Sequence, residues 1–213
     1  ITQGGCASRP GNSYESIISR RLDADYINLG FSGSAFAEDE MAEYIANLDM
    51  SVFVYDYDHN APNLDHYKNT HEKFFKTIRA AQPDLPVLMM TRPEYYLDED
   101  EQARLQVMLD TYNNAIAAGD KNVYYIKGPD LIEAVRESAL VDGGHPNDSG
   151  FVSMAHVVGN KLKEILKITN AESVLVMNIA SIPQNNPPLL ILSTLIPTEP
   201  ILITDDKTSG SPL

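Results

Sequence analysis

Two residues in the last third of the chain have the types and spacing that chemistry needs. In Asp142-Gly143-Gly144-His145-Pro146-Asn147 a carboxylate and an imidazole stand three residues apart. On one loop, the carboxylate can accept a hydrogen bond from one ring nitrogen and hold a single tautomer, leaving the other nitrogen as a general base. Two intervening glycines allow the tight turn this requires. The same residues could serve only a turn and a helix cap, so the pair points toward base catalysis without establishing it.

Other reactive side chains form weaker patterns. Asp56-x-Asp58-x-Asn60 begins like a calcium loop, but Ala61 stands where such a loop needs glycine and Tyr67 where it needs a bidentate glutamate. His59, His66 and His71 match no compact zinc spacing, so no metal site is expected. Ser8 and Ser13 read as structural: Arg9-Pro10-Gly11 separates Ser8 from a strand end, and Ser13 opens a helix. His156 lies off the inward stripe of the last helix, and Cys6 reads as an ordinary loop thiol. Arg92, Glu94 and Tyr95 come just after an expected strand, at the rim where ligands bind in open α/β sheets.

The elements that must position these residues alternate from Asn12 to Thr169, the signature of an α/β domain with a mainly parallel sheet. Helices are expected at Ser13 to Leu22, Glu38 to Asn47, Asp65 to Ala81, Glu99 to Ala118 and Ser149 to Leu166. Strands are expected at Tyr26 to Leu29, Ser51 to Tyr57, Val87 to Met90 and Val123 to Ile126. Asn12 with Glu15 resembles a capping box. In the last helix, Val152, Ala155, Val158, Leu162 and Ile165 are expected to face inward. A parallel sheet also needs a strand feeding the loop at Ile1 to Pro10, and that strand is expected to be absent from this chain.

Composition narrows the partners. With 16 basic and 30 acidic residues the net charge is −14, which argues against nucleic acid and favours a neutral or cationic small molecule. A single cysteine allows no internal disulfide. Compartment and oligomeric state stay open. The opening Ile1 is read as the start of a fragment, with any export signal upstream. Residues 1–170 are expected to form the domain. Beyond them no aromatic residue occurs, and six of the 13 prolines fall between Pro183 and Pro212. Segment 171–213 is read as a linker, a tail or the start of another unit. Its apolar run Leu189 to Ile196 is too short to span a bilayer, which needs about 20 residues.

Asp-x-x-His-Pro-Asn before a final helix resembles the closing block of the SGNH (GDSL-type) hydrolases, and the family's other blocks can be sought in order. Ile1-Thr2-Gln3-Gly4-Gly5 is similar to the residues after the serine in the first block, Gly-x-Ser-Ile-Thr, which places the nucleophile immediately upstream of Ile1. Asn28-Leu29-Gly30-Phe31-Ser32-Gly33 resembles the second block, with Gly33 preferred over Gly30 as the oxyanion donor. Asn60 is the best match to the Asn of Gly-x-Asn-Asp, although the glycine and final Asp of that motif are missing.

The resemblance implies a three-layer α/β/α, flavodoxin-like fold with a parallel sheet of about five strands, the first of them missing here. It implies hydrolysis of short-chain acyl or acetyl esters, carbohydrate esters among them, through a Ser-His-Asp triad and an acyl-enzyme without a cofactor. Asp142, His145, Gly33 and Asn60 are the implied catalytic residues, and the chain without its serine is expected to be almost inactive. A non-catalytic glycan- or ester-binding relative is the alternative. A flavodoxin- or receiver-like signalling domain is a weaker one, since no Gly-rich phosphate loop stands after a strand.

Overall fold

A computed structural model describes residues 1–168 and 189–191. Its elements in chain order are α1 (Tyr14–Leu22), β1 (Tyr26–Ile27), α2 (Asp39–Ala46), β2 (Phe53–Asp56), α3 (Leu64–Ala81), β3 (Val87–Met90), α4 (Glu99–Ala117), β4 (Val123–Ile126), α5 (Gly128–Leu131), α6 (Asp148–Leu166) and β5 (Leu189–Ile191). Short 3-10 turns occur at Pro10–Asn12, Asp58–Asn60 and Arg136–Ala139.

All strands run parallel in the order β1-β5-β2-β3-β4. Because side chains alternate along a strand, β2 and β3 serve two cores at once. Phe53, Tyr55, Val87 and Met89 point to one face, where α2, α3 and α4 supply Ile45, Phe74, Ile78 and Met108. Val54, Leu88 and Met90 point to the other, where α1, α5 and α6 supply Ile18, Leu131, Phe151 and Leu162. This is the three-layer α/β/α fold, and double-sided burial explains why β3 is continuously apolar.

Helix starts are set by side-chain caps. Asn63 accepts the His66 N–H at 2.8 Å ahead of α3, Asp98 and Glu101 form a reciprocal capping box on α4, and Asn147 accepts the Gly150 N–H at 3.1 Å ahead of α6.

Two local expectations are corrected. Asn12 and Glu15 form no capping box: Ser13 is the N-cap of α1, and Glu15 turns inward to accept a hydrogen bond from Asn28 Nδ2. Val152 is exposed, and Phe151 and Met154 join Ala155, Val158 and Leu162 on the buried face, so the apolar stripe of α6 is rotated by about one residue. Among the described residues no strand precedes α1, and the central position of the sheet is taken by β5. In a doubly wound sheet of order 2-1-3-4-5 the first strand lies between the second and third, and in that slot β5 pairs with β1 on one side and β2 on the other. The rest of segment 171–213 lies outside the described residues, apart from those three.

Candidate active site

The carboxyl ends of the strands point to one edge, and three loops there carry the predicted residues. In the 142–147 loop, Asp142 Oδ1 accepts the backbone N–H of His145 at 2.9 Å and of Gly144 at 3.1 Å, while Oδ2 meets His145 Nδ1 at 2.8 Å. These bonds, the His145 backbone N–H foremost, hold the Asp142 carboxyl down at about 2. A carboxylate that stays ionised selects the ring tautomer with its proton on Nδ1, which leaves Nε2 to act as a base. The loop is closed by Val141 N–H donating to His145 O and Asn147 N–H donating to Ala139 O, each at 2.8 Å. Asn147 therefore closes the loop and caps α6 together.

Asn60 ends the 3-10 turn after β2. The turn is held from beneath by Arg104, whose Nη1 donates to the carbonyls of Asp58 and Ala61, both at 3.1 Å. Arg104 also pairs with the buried Asp58 carboxylate at 3.5 Å and with Asp100 at 2.5 Å. Arg92 adds its backbone N–H to Asp58 Oδ2 at 3.1 Å. A buried carboxylate satisfied from several sides is a rigid anchor, and this set supports the turn that carries Asn60. Arg92 is thus turned toward Asp58, and Tyr95 lies under the Arg136 guanidinium at 4.9 Å. Glu94 is pushed up to about 8 by burial and the neighbouring Glu101.

Gly33 comes after Ser32, and both have left-handed backbone (φ +84° and +49°). Gly30 has a different reason to be glycine: a Cβ there would sit 2.7 Å from Gln3 N. The strand-end loop and the opening segment are therefore in backbone contact. Thr2 Oγ1 donates to Asp56 Oδ2 at 2.7 Å, and Asn28 Nδ2 donates to Thr2 O at 3.0 Å as well as to Glu15. Ile1, Thr2, Gly33, His59 and Asn60 line one cleft. His145 lies beside His59 of that cleft, the two ring centroids 5.3 Å apart.

The other reactive residues have separate positions. His71 is buried against Tyr55, with its Nδ1 2.8 Å from Thr111 Oγ1, and His66 Nε2 meets Phe36 O at 2.8 Å. Ser8 Oγ donates to Asp148 at 2.5 Å, and Ser13 Oγ to Pro10 O at 3.2 Å. His156 and Cys6 are exposed. Among the described residues no cluster of His, Cys, Asp and Glu could hold a metal ion, and no helix is long and apolar enough to cross a membrane.

Sequence reasoning missed three features here: the His59–His145 contact, the Arg104 support and the Glu15–Asn28–Thr2 chain. Only the position of His59 beside Asn60 gave any signal, since the partners lie 86, 46 and 13–26 residues apart in the chain.

A parallel α/β/α domain with its polar residues gathered at the carboxyl edge belongs to the class of sheets whose sites are built from strand-end loops. More specifically, the chain belongs to the GDSL-like lipase/acylhydrolase family, whose model matches residues 1–163. A protein of Bacteroides ovatus described as a GDSL-like lipase is 31% identical, with a TM-score of 0.71 over 79% of this chain and 52% of its own. A salicylyl-acyltransferase from a tetracycline biosynthetic pathway is 17% identical, with a TM-score of 0.65 over 78% of this chain and 52% of its own. A family two carbohydrate esterase from Clostridium thermocellum, solved with cellohexaose, is 16% identical, with a TM-score of 0.55 over 75% and 55%. The chain spans about half the length of each. No curated protein matches it.

Proposed function

We propose that this domain hydrolyses oxygen esters of short acyl or acetyl groups through a Ser-His-Asp triad, with the serine immediately before Ile1. The observation that carries this reading is the Asp142–His145 pair, a carboxylate 2.8 Å from Nδ1 with two backbone N–H groups fixing its other oxygen. His145 Nε2 takes the serine hydroxyl proton as the oxygen attacks the ester carbonyl, and Asp142 stabilises the resulting imidazolium. Gly33 N–H, the Asn60 side chain and the serine's own N–H stabilise the oxyanion. Collapse expels the alcohol, which receives the proton from His145. Water, deprotonated by the same nitrogen, then releases the acid. No cofactor takes part.

Carbohydrate esters are the proposed substrates. Solved proteins of this fold include the esterase bound to cellohexaose and one active on acetylated mannans. Neutral glycans of that kind also suit a chain of net charge −14, which would repel a polyanion.

The test is a chain extended before Ile1 by a strand ending in Gly-x-Ser, assayed on p-nitrophenyl acetate and acetylated oligosaccharides and treated with a fluorophosphonate. Turnover and labelling are expected, with both lost in Ser→Ala and turnover lost in His145→Ala. The chain as it stands is expected to retain no more than about 10³–10⁴-fold acceleration over water. Robust His145-dependent turnover without the added serine would refute the mechanism. Ester or glycan binding that survives His145→Ala, with no turnover in the extended chain, would instead establish a binding module.

A further inference from the structure

The Asp142–His145 loop is held by its own hydrogen bonds but stands out at the surface. Its two functional side chains are 54% and 44% exposed, Gly143 has left-handed backbone (φ +86°), and one isolated bridge, Leu140 to Pro146, closes it. A base must nevertheless be held within a fraction of an ångström of its working position.

A further support comes from the neighbouring turn. The His59 ring lies against the loop at two points: it meets the His145 ring edge-on at 5.3 Å and 64°, and its Cε1 would be 3.1 Å from a Cβ on Gly144. A Cβ on Gly144 would therefore press on the His59 ring. His59 is itself fixed, since it sits between Asp58, anchored by Arg104 and Arg92, and Asn60. Its Nδ1 is buried without a hydrogen-bond partner, so this nitrogen ties the ring to nothing else. The ring makes its contacts by shape.

We propose that His59 is a positioning residue for the base: its ring, rigidly mounted on the turn that carries Asn60, sets where His145 stands relative to the oxyanion donor. The inference rests on the esterase reading for its catalytic consequence, but its structural content does not.

The ring is well suited to that role. Burial, then Arg92 and His145, lower His59 to about 4, so it is neutral beside a histidine that must accept a proton. A charged neighbour would oppose that step.

The test uses His59→Ala, His59→Phe, Gly144→Ala and the His59→Ala/Gly144→Ala double variant. In the extended chain, His59→Ala is expected to lower kcat by about ten- to a hundredfold with KM little changed. His59→Phe, which keeps a neutral ring, should restore kcat to within about threefold of the parent on the same scale. Gly144→Ala should also lower kcat, and in the double variant the two losses should not add, because the contact that made alanine too large is gone.

Independently, NMR of the unextended, ¹⁵N-labelled chain should show the His145 Nδ1–H signal weakened or exchange-broadened in His59→Ala and recovered in His59→Phe. A His145 ring signal unchanged in folded His59→Ala would overturn the proposal whether or not the chain is an esterase. Equal kcat losses in the Ala and Phe variants would overturn it too, by assigning the role to a ring nitrogen. If no ester is turned over but the NMR result holds, the esterase reading fails and the positioning contact stands.

Discussion

Glu15→Gln probes the support behind the opening segment. Glu15 is 1% exposed. One of its oxygens accepts from Asn28 Nδ2 and the other has no partner. Burial, only partly offset by hydrogen bonds, pushes the carboxyl from 4.5 up to about 7. A carboxyl whose pKa is higher folded than unfolded favours the native state fully below pH 4.5, and this contribution is lost as the pH rises through 7. The full gap corresponds to about 3 kcal/mol, of which roughly 2–3 kcal/mol falls between pH 5 and pH 8.

Glutamine keeps an acceptor for Asn28 and removes the ionisation, but buries an amide donor where the unpaired oxygen was, at a cost of about 1–3 kcal/mol. The variant is therefore expected to be less stable than the parent at pH 5 and to overtake or match it at pH 8. Urea unfolding at both pH values, followed by circular dichroism, measures this. The difference between the two proteins isolates Glu15 from every other titrating group. A variant that trails the parent by the same amount at both pH values would refute the assignment of the pH dependence to this carboxyl.

His71→Phe should protect the fold against acid. Burial lowers His71 from 6.5 to about 3, so the parent loses stability as the pH falls between those values while the variant does not. An acid-unfolding midpoint that fails to move to lower pH would count against this. Gly30→Ala should cost about 1–3 kcal/mol, because its Cβ would press on the Gln3 backbone. A urea midpoint equal to the parent's would show that the loop yields freely. Ending the chain at Ile168 should lower the unfolding free energy by on the order of 2 kcal/mol, read as a lower urea midpoint, since β5 pairs with both β1 and β2. An unchanged midpoint would show that those pairings contribute nothing.

The parts legible in the sequence were those governed by near neighbours. Val87–Met90 and Val123–Ile126 emerged with the predicted bounds, and the five expected helices shifted by no more than one residue at either end. Strand burial and helix amphipathicity repeat over two or four residues, so a short window reveals them. Asp142 and His145 were legible for the same reason: three residues on one loop suffice for their hydrogen bond.

What the window does not contain, the tertiary structure decided. Glu15 had the spacing of a cap but turned inward, because Asn28 on the next strand end offered a partner. Val152 lost its place on the buried face to Phe151 and Met154, since the rotation of α6 is set by the surface it packs on. The choice of β5 for the slot between β1 and β2 depends on pairing partners more than 130 residues away in the chain. The Arg104 support and the His59–His145 contact likewise exist only once β2, β3 and the loop before α6 meet at one edge of the sheet. The sequence alone determined which residue types and local elements were available. Which of them touch is settled by the packing of distant segments, because a side chain's partner is chosen by the topology that brings it within reach.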